Sequence, residues 1–146
     1  MHRVRCSCTN NERGFSCQVI ADESCNPAFV AADLLSQAEH GVDSQVVLVS
    51  SSLSDDKLKE IEKEVDKQAR ALPRVDIVRE SVSRSLIVKS PGPEEALRFS
   101  NAYAPEHLIL HLEGASAWME HVKNAGSVFI GPYSPERLFL VSLYAN

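Results

Sequence analysis

Two kinds of apolar spacing alternate along the chain. Val30, Ala31, Leu34, Leu35 and Ala38 recur at helical intervals, whereas Val46, Val47, Leu48 and Val49 form an unbroken apolar block. The first spacing predicts a helix with one buried stripe, and the second a strand buried on both faces. Asn26 can cap the helix, Pro27 suits its first position with a preset φ, and Gly41 can take the left-handed conformation that ends it. The helix is therefore predicted from Pro27 to His40, with Asp33, Gln37 and His40 together on a second face. Cys17 to Ala21 is a short apolar run ahead of it. Strand, helix and buried strand in succession make a βαβ unit, which requires a right-handed crossover and gives a parallel pair.

The same alternation continues. Ser54 can cap a helix, with Leu53 and Leu58 as a hydrophobic staple and Asp55 and Asp56 in the first turn, where the helix dipole favours anions. Leu58, Ile61, Val65, Ala69 and Leu72 form its stripe, and Pro73 stops it. Arg84 to Lys89 reads as a strand ended by the turn Pro91-Gly92-Pro93, and Glu94 to Ala102 as a helix that ends before Pro105, which pushes Ala104 out of the helical region. Leu108 to Leu112 is an apolar strand, Ala115 to Val122 a helix with Trp118 as a packing aromatic, and Ser127 to Ile130 a last buried strand. The fold class predicted is α/β, an incomplete Rossmann-like parallel sheet flanked by helices.

Residues 1–14 break this pattern: they carry Arg3, Arg5 and Arg13 without apolar periodicity and are expected to be a poorly ordered leader. The domain is placed at 15–136 and a divergent apolar tail at 137–146. A chain of 146 residues with a 44% hydrophobic and 24% charged composition suits one soluble domain with a real core. Its net charge of −5 argues against a nucleic-acid or anionic-membrane partner, and no apolar run approaches the roughly 20 residues that span a bilayer. Cys6, Cys8, Cys17 and Cys25 lack zinc-knuckle spacing and follow no secretory signal, so they are expected to be thiols in a cytoplasmic protein, with a plastid as the lesser alternative.

Chemistry enters at a few positions. Gln37 and His40 lie one helical turn apart and can converge on a single ion, although a Gln-x-x-His on an exposed face is usually solvated and zinc sites are built mostly from His, Cys and carboxylates. Glu106 and His107 emerge at a helix-to-strand junction, where α/β sheets place function. No Gly-x-Gly-x-x-Gly is present to seat a dinucleotide pyrophosphate at a helix N-terminus.

Three stretches, Asp33 to Gly41 (DLLSQAEHG), Asn101 to Leu108 (NAYAPEHL) and Ala125 to Gly131 (AGSVFIG), resemble histidinol dehydrogenase in content and order. The similarity covers Val19 to Glu136 and is nearest to fungal sequences in which this domain ends a multifunctional histidine-pathway chain. The resemblance implies the second, metal- and substrate-carrying α/β domain of an NAD-dependent enzyme that oxidises L-histidinol to L-histidine with zinc holding the substrate, and that works as a homodimer. It implies Gln37 and His40 as metal ligands, His107 as the base for the oxidations and Glu106 as the base that activates water, a division that suits a near-neutral imidazole and a carboxylate. His111 and His121 are expected to be structural or exposed.

The resemblance fades at both ends. The family's Gly-Pro-Ser-Glu segment is replaced by Gly14-Phe15-Ser16-Cys17-Gln18, so no substrate role passes to Ser16. After Glu136 the family continues into a Gly-Asp-Tyr segment bearing an aspartate ligand, with a further histidine ligand later, whereas this chain runs Arg137-Leu138-Phe139-Leu140 to Asn146. It is expected to be a truncated and inactive fragment, lacking two ligands and the NAD-binding domain. The alternatives are a noncatalytic α/β module that binds a partner subunit and an independent zinc-binding protein.

Overall fold

A computed structural model describes residues 16–131, so the leader expected over 1–14 and the tail expected over 137–146 lie outside the described residues. Strands β1 (Ser16–Ala21), β2 (Gln45–Ser51), β3 (Leu86–Ser90), β4 (His107–His111) and β5 (Ser127–Ile130) form a parallel sheet in the order β3-β2-β1-β4-β5. Helices α1 (Pro27–Ala38), α2 (Asp55–Ala69) and α3 (Val75–Ser83) cover one face, while α4 (Pro93–Tyr103) and the short α5 (Ala115–Trp118), continued by a 3₁₀ turn at Met119–His121, cover the other. This is the order of the first five strands of a doubly wound sheet, with its reversal between β1 and β4.

Period-two alternation divides the core. Cys17, Val19, Ala21, Leu48 and Ile109 point towards α1 and α2, whereas Ile20, Val49, Leu108 and Leu110 point towards α4. The central strands are buried on both faces because helices lie above and below them, which explains the unbroken apolar block of β2.

Caps act as expected at two helices: Asn26 Oδ1 accepts from Ala28 N at 2.9 Å, and Ser54 Oγ from Lys57 N at 3.2 Å. Ala104 leaves α4 in the left-handed region at φ 54°, its N–H donating to Ser100 O at 2.8 Å. Other expectations need correction. Gly41 is not left-handed; α1 ends at Ala38 with Glu39 still right-handed. Helix α3 was not anticipated, because Pro73 ended the preceding pattern before the apolar positions Val75, Val78 and Val82 could be read as a second short stripe. The edge strands are less covered than an apolar run suggests: Leu86 and Ile87 of β3 are 59% and 49% exposed, and β5 is half-buried with Ile130 at 38%. An apolar cavity of about 470 Å³ lies between α2, α3 and β3, lined by Ile61, Val65, Val78, Val82 and Leu86 among others.

The two edges of the sheet differ. At the carboxyl-terminal edge the space between β1 and β4 is closed by hydrogen bonds: Asp22 N donates to His111 O at 3.1 Å, and Glu113 N to Asp22 Oδ2 at 2.7 Å. Asp22 Oδ1 also accepts from Ser24, and Glu23 accepts from Ser54 N and Oγ, both at 3.0 Å. Polar groups of the chain thus tie together the loops at the place where many doubly wound proteins bind ligands.

Candidate active site at the amino-terminal edge

Helix α1 starts at the carboxyl-terminal edge and runs antiparallel to the strands, so its last turn reaches the opposite edge. Gln37 lies in that turn and His40 just beyond it. His40 is exposed, but Gln37 and Asp33 are buried, at 2% and 0% exposure. The second face of α1 is therefore covered at Asp33 and Gln37 and solvated at His40, and the side chain of His111 at the end of β4 reaches across to it, with His111 Nε2 2.6 Å from Asp33 Oδ2. His111 is thus structural and buried, while His121 is exposed beside the Trp118 ring.

Glu106 and His107 reach the same edge from the other side. The left-handed Ala104 and the following Pro105 turn the chain from α4 into β4, whose first residue is His107. Three backbone groups hold this junction: Glu106 N donates to Ser16 Oγ at 3.1 Å, Gly126 N to Pro105 O at 3.0 Å, and Ser127 N to Glu106 O at 2.8 Å. Gly126 has a steric reason to be glycine, since a Cβ there would lie 2.6 Å from Glu106 O. Asn101 braces the outside: its Oδ1 accepts from Lys123 N at 2.7 Å and from Asn124 N at 3.2 Å, while its Nδ2 donates to His121 O at 2.9 Å.

Glu106 is exposed, whereas His107 is half-buried. Because it alternates with Ile109 and His111, His107 points to the α1 face of the sheet, where its ring meets Phe129 edge-on at 5.9 Å and 88°. In register it stands between Cys17 of β1 and Ser127 of β5. Cys17 and Cys25 are buried thiols rather than disulfide partners, and burial pushes the Cys25 thiol up to about 11, leaving it inert. Cys6 and Cys8 lie outside the described residues.

All four sequence-derived candidates, Gln37, His40, Glu106 and His107, therefore share one edge. Among the described residues no group of three or more His, Cys, Asp and Glu side chains is placed to hold a metal ion. The sequence reading missed the supporting residues. Asn101 and Gly126 lay within the quoted stretches, but their roles depend on the neighbours that the fold brings to them.

The family model of histidinol dehydrogenase matches residues 16–139. The chain belongs to the histidinol dehydrogenase family. It is 58% identical over 118 residues to the histidine biosynthesis trifunctional protein of Saccharomyces cerevisiae, covering 81% of this chain and 15% of that protein. It is 50% identical over 117 residues to the histidinol dehydrogenase of Schizosaccharomyces pombe, covering 80% and 27%. The crystal structure of histidinol dehydrogenase from Elizabethkingia anophelis superposes with a TM-score of 0.80 at 43% identity, over 85% of this chain and 28% of that one. The chain thus spans between 15% and 28% of the length of these relatives. The α/β fold expected from the sequence is the fold of this family, and no helix among the described residues is long and apolar enough to cross a membrane.

Proposed function

We propose that residues 16–131 supply the substrate- and metal-facing part of a histidinol dehydrogenase, which oxidises L-histidinol to L-histidine with NAD as hydride acceptor. The observation that supports this reading is that α1, with Gln37 in its last turn and His40 just after it, runs towards the amino-terminal edge of the sheet, the edge at which β4 begins with His107 directly after Glu106. An alcohol loses its hydroxyl proton as its carbinol hydrogen leaves as hydride, and the His107 imidazole is suited to accept that proton. Oxidation of the aldehyde needs a water, and the exposed Glu106 carboxylate can take a proton from it. Holding Glu106 and His107 on a strand end braced by Ser16 and Gly126 fixes where both groups act.

Zinc, when bound, supplies a template that fixes the substrate for reaction. Gln37 and His40 are donors of a suitable kind, an amide oxygen and an imidazole nitrogen one turn apart, but they are two where a catalytic zinc site uses about three protein ligands. The described residues alone do not fit a complete zinc site. NAD is in the same position: the chain has no Gly-x-Gly-x-x-Gly, and at the reversal of strand order the Asp22 carboxylate accepts from Glu113 N and Ser24. Both need residues beyond those described, in keeping with the homodimer that the resemblance implies.

Two assays test the reading. The 146-residue chain, mixed with histidinol and NAD, is expected to form no NADH above a buffer control. Residues 16–131 exchanged for the aligned segment of the Saccharomyces cerevisiae protein are expected to sustain histidinol-dependent NADH formation. A well-folded exchange protein without activity would remove the proposed function.

A further inference from the structure

The carboxylate of Asp33 is fully buried and its partner His111 nearly so, with His111 Nε2 and Asp33 Oδ2 at 2.6 Å. The two side chains thus share one short buried hydrogen bond. Removing such a pair from water is expensive, and well-packed apolar residues of similar size often stabilise a core as well or better. What a pair of this kind adds is direction. Val30, Ala31, Leu35 and Ala38 of α1 are buried as well, and apolar contacts of this sort, two of them with alanines, are non-directional.

The place of the pair decides what that direction controls. Asp33 lies one turn before Gln37 on α1, and His111 lies four residues after His107 on the same side of β4. The helix advances roughly 10 Å from Asp33 to His40, and the strand roughly 13 Å from His111 to His107, both towards the amino-terminal edge. His111 is itself fixed, because its backbone oxygen accepts from Asp22 N. Any slide of α1 past β4 would shift Gln37 and His40 against His107 by the same amount, and the Asp33 to His111 hydrogen bond is a directional contact that resists it.

We propose that Asp33 and His111 are a positioning pair that sets the register of the helix bearing Gln37 and His40 against the strand bearing His107. The inference rests on the active-site reading above for its functional meaning, but the register itself can be measured without it.

The test uses the 146-residue chain, with residual dipolar couplings of backbone amides to report the orientation of α1 against the sheet and imidazole ¹H–¹⁵N spectra to report His40 and His107. The double variant Asp33→Leu/His111→Leu is expected to unfold at a denaturant concentration no lower than the parent, yet to show altered α1 couplings and shifted His40 and His107 signals, with couplings of β2 and α4 and the His121 signal unchanged. His111→Gln, whose side-chain amide can donate from a similar position, is expected to keep the parental values. Parental α1 couplings and imidazole signals in the double variant would overturn the proposal. If the double variant does not fold, His111→Asn decides: its amide is too short to reach Asp33 from β4 unless α1 moves, so altered α1 couplings support the pair and unaltered ones overturn it. An exchange protein that keeps full turnover after His107→Ala would sink the active-site reading while leaving the register result standing.

Discussion

The two edges of the sheet use polar residues in opposite ways. At the carboxyl-terminal edge Asp22, Glu23, Ser24 and Ser54 are consumed by hydrogen bonds to one another and to backbone groups, in the place where doubly wound sheets commonly bind ligands. At the amino-terminal edge the polar side chains with useful chemistry, His40, Glu106 and His107, are exposed or half-buried, and the bracing falls on the backbone around Glu106. If the proposed site is right, strand order alone does not locate function, because the residues proposed for chemistry stand at the edge opposite the usual crevice.

The largest effect that would sharpen this contrast concerns metal. With Gln37 as a weak neutral donor and His40 as one good nitrogen, zinc binding to the chain should be weak and should vanish in His40→Ala, as measured by calorimetry with the thiols blocked. One tight site that survives His40→Ala would place the metal elsewhere and break the account of this edge.

Gly126→Ala comes next. The added methyl meets Glu106 O at 2.6 Å and must displace the backbone that presents Glu106 and His107, so a loss of about 1–3 kcal/mol in denaturant unfolding is expected, with lower turnover in the exchange protein. Gly114→Ala, where nothing lies within 4 Å and only φ +61° is unfavourable, should cost about 1 kcal/mol and leave turnover per folded molecule alone. Equal effects of the two would mean that the close approach at Glu106 is not what Gly126 provides.

The smallest effect is a pH dependence of opposite sign at the two edges. At the carboxyl-terminal edge, hydrogen bonds from the backbone and hydroxyl of Ser54 hold the Glu23 carboxyl below the ordinary glutamate value of 4.5. Its contribution to stability is present above 4.5 and is lost as pH falls through the lowered value. Near the amino-terminal edge, burial pushes Glu39 above 4.5, against the opposing influence of Arg74 and His40. The folded chain then holds the Glu39 proton more tightly than the unfolded chain, and stability falls as pH rises from 4.5 through the raised value. Glu23→Gln should flatten the acid limb of a stability-against-pH curve, whereas Glu39→Gln should lift its neutral side. The same sign for both variants would contradict the assignment of causes.

Much of this architecture could be read from spacing. The stripe of α1, the block of β2 and the caps Asn26 and Ser54 are local signals, and local signals set local structure. Helix α3 escaped because Pro73 is a strong stop and the helix after it is short. The burial of Asp33 and Gln37 escaped for a different reason: it depends on long-range neighbours, such as His111, 78 residues from Asp33. Exposure of Leu86 and Ile87 likewise follows from the place of β3 at the sheet edge, which no run of apolar residues reveals. The four candidate site residues were reachable through motif resemblance, whereas Ser16, Asn101 and Gly126 acquire their roles only from neighbours the fold supplies.

The central claim, that chemistry belongs to the amino-terminal edge and scaffolding to the carboxyl-terminal one, is tested most directly by turnover per folded molecule in the exchange protein carrying residues 16–131. His107→Gln is expected to lower kcat by roughly 10²- to 10⁴-fold, the usual contribution of a positioned acid or base, with little loss of stability. Asp22→Ala is expected to lower stability by about 1 kcal/mol, because the backbone N–H groups of Ser24 and Glu113 lose their acceptor, while kcat at a temperature where the protein stays folded remains parental. A full kcat in His107→Gln, or a kcat lost in a folded Asp22→Ala, would contradict that division.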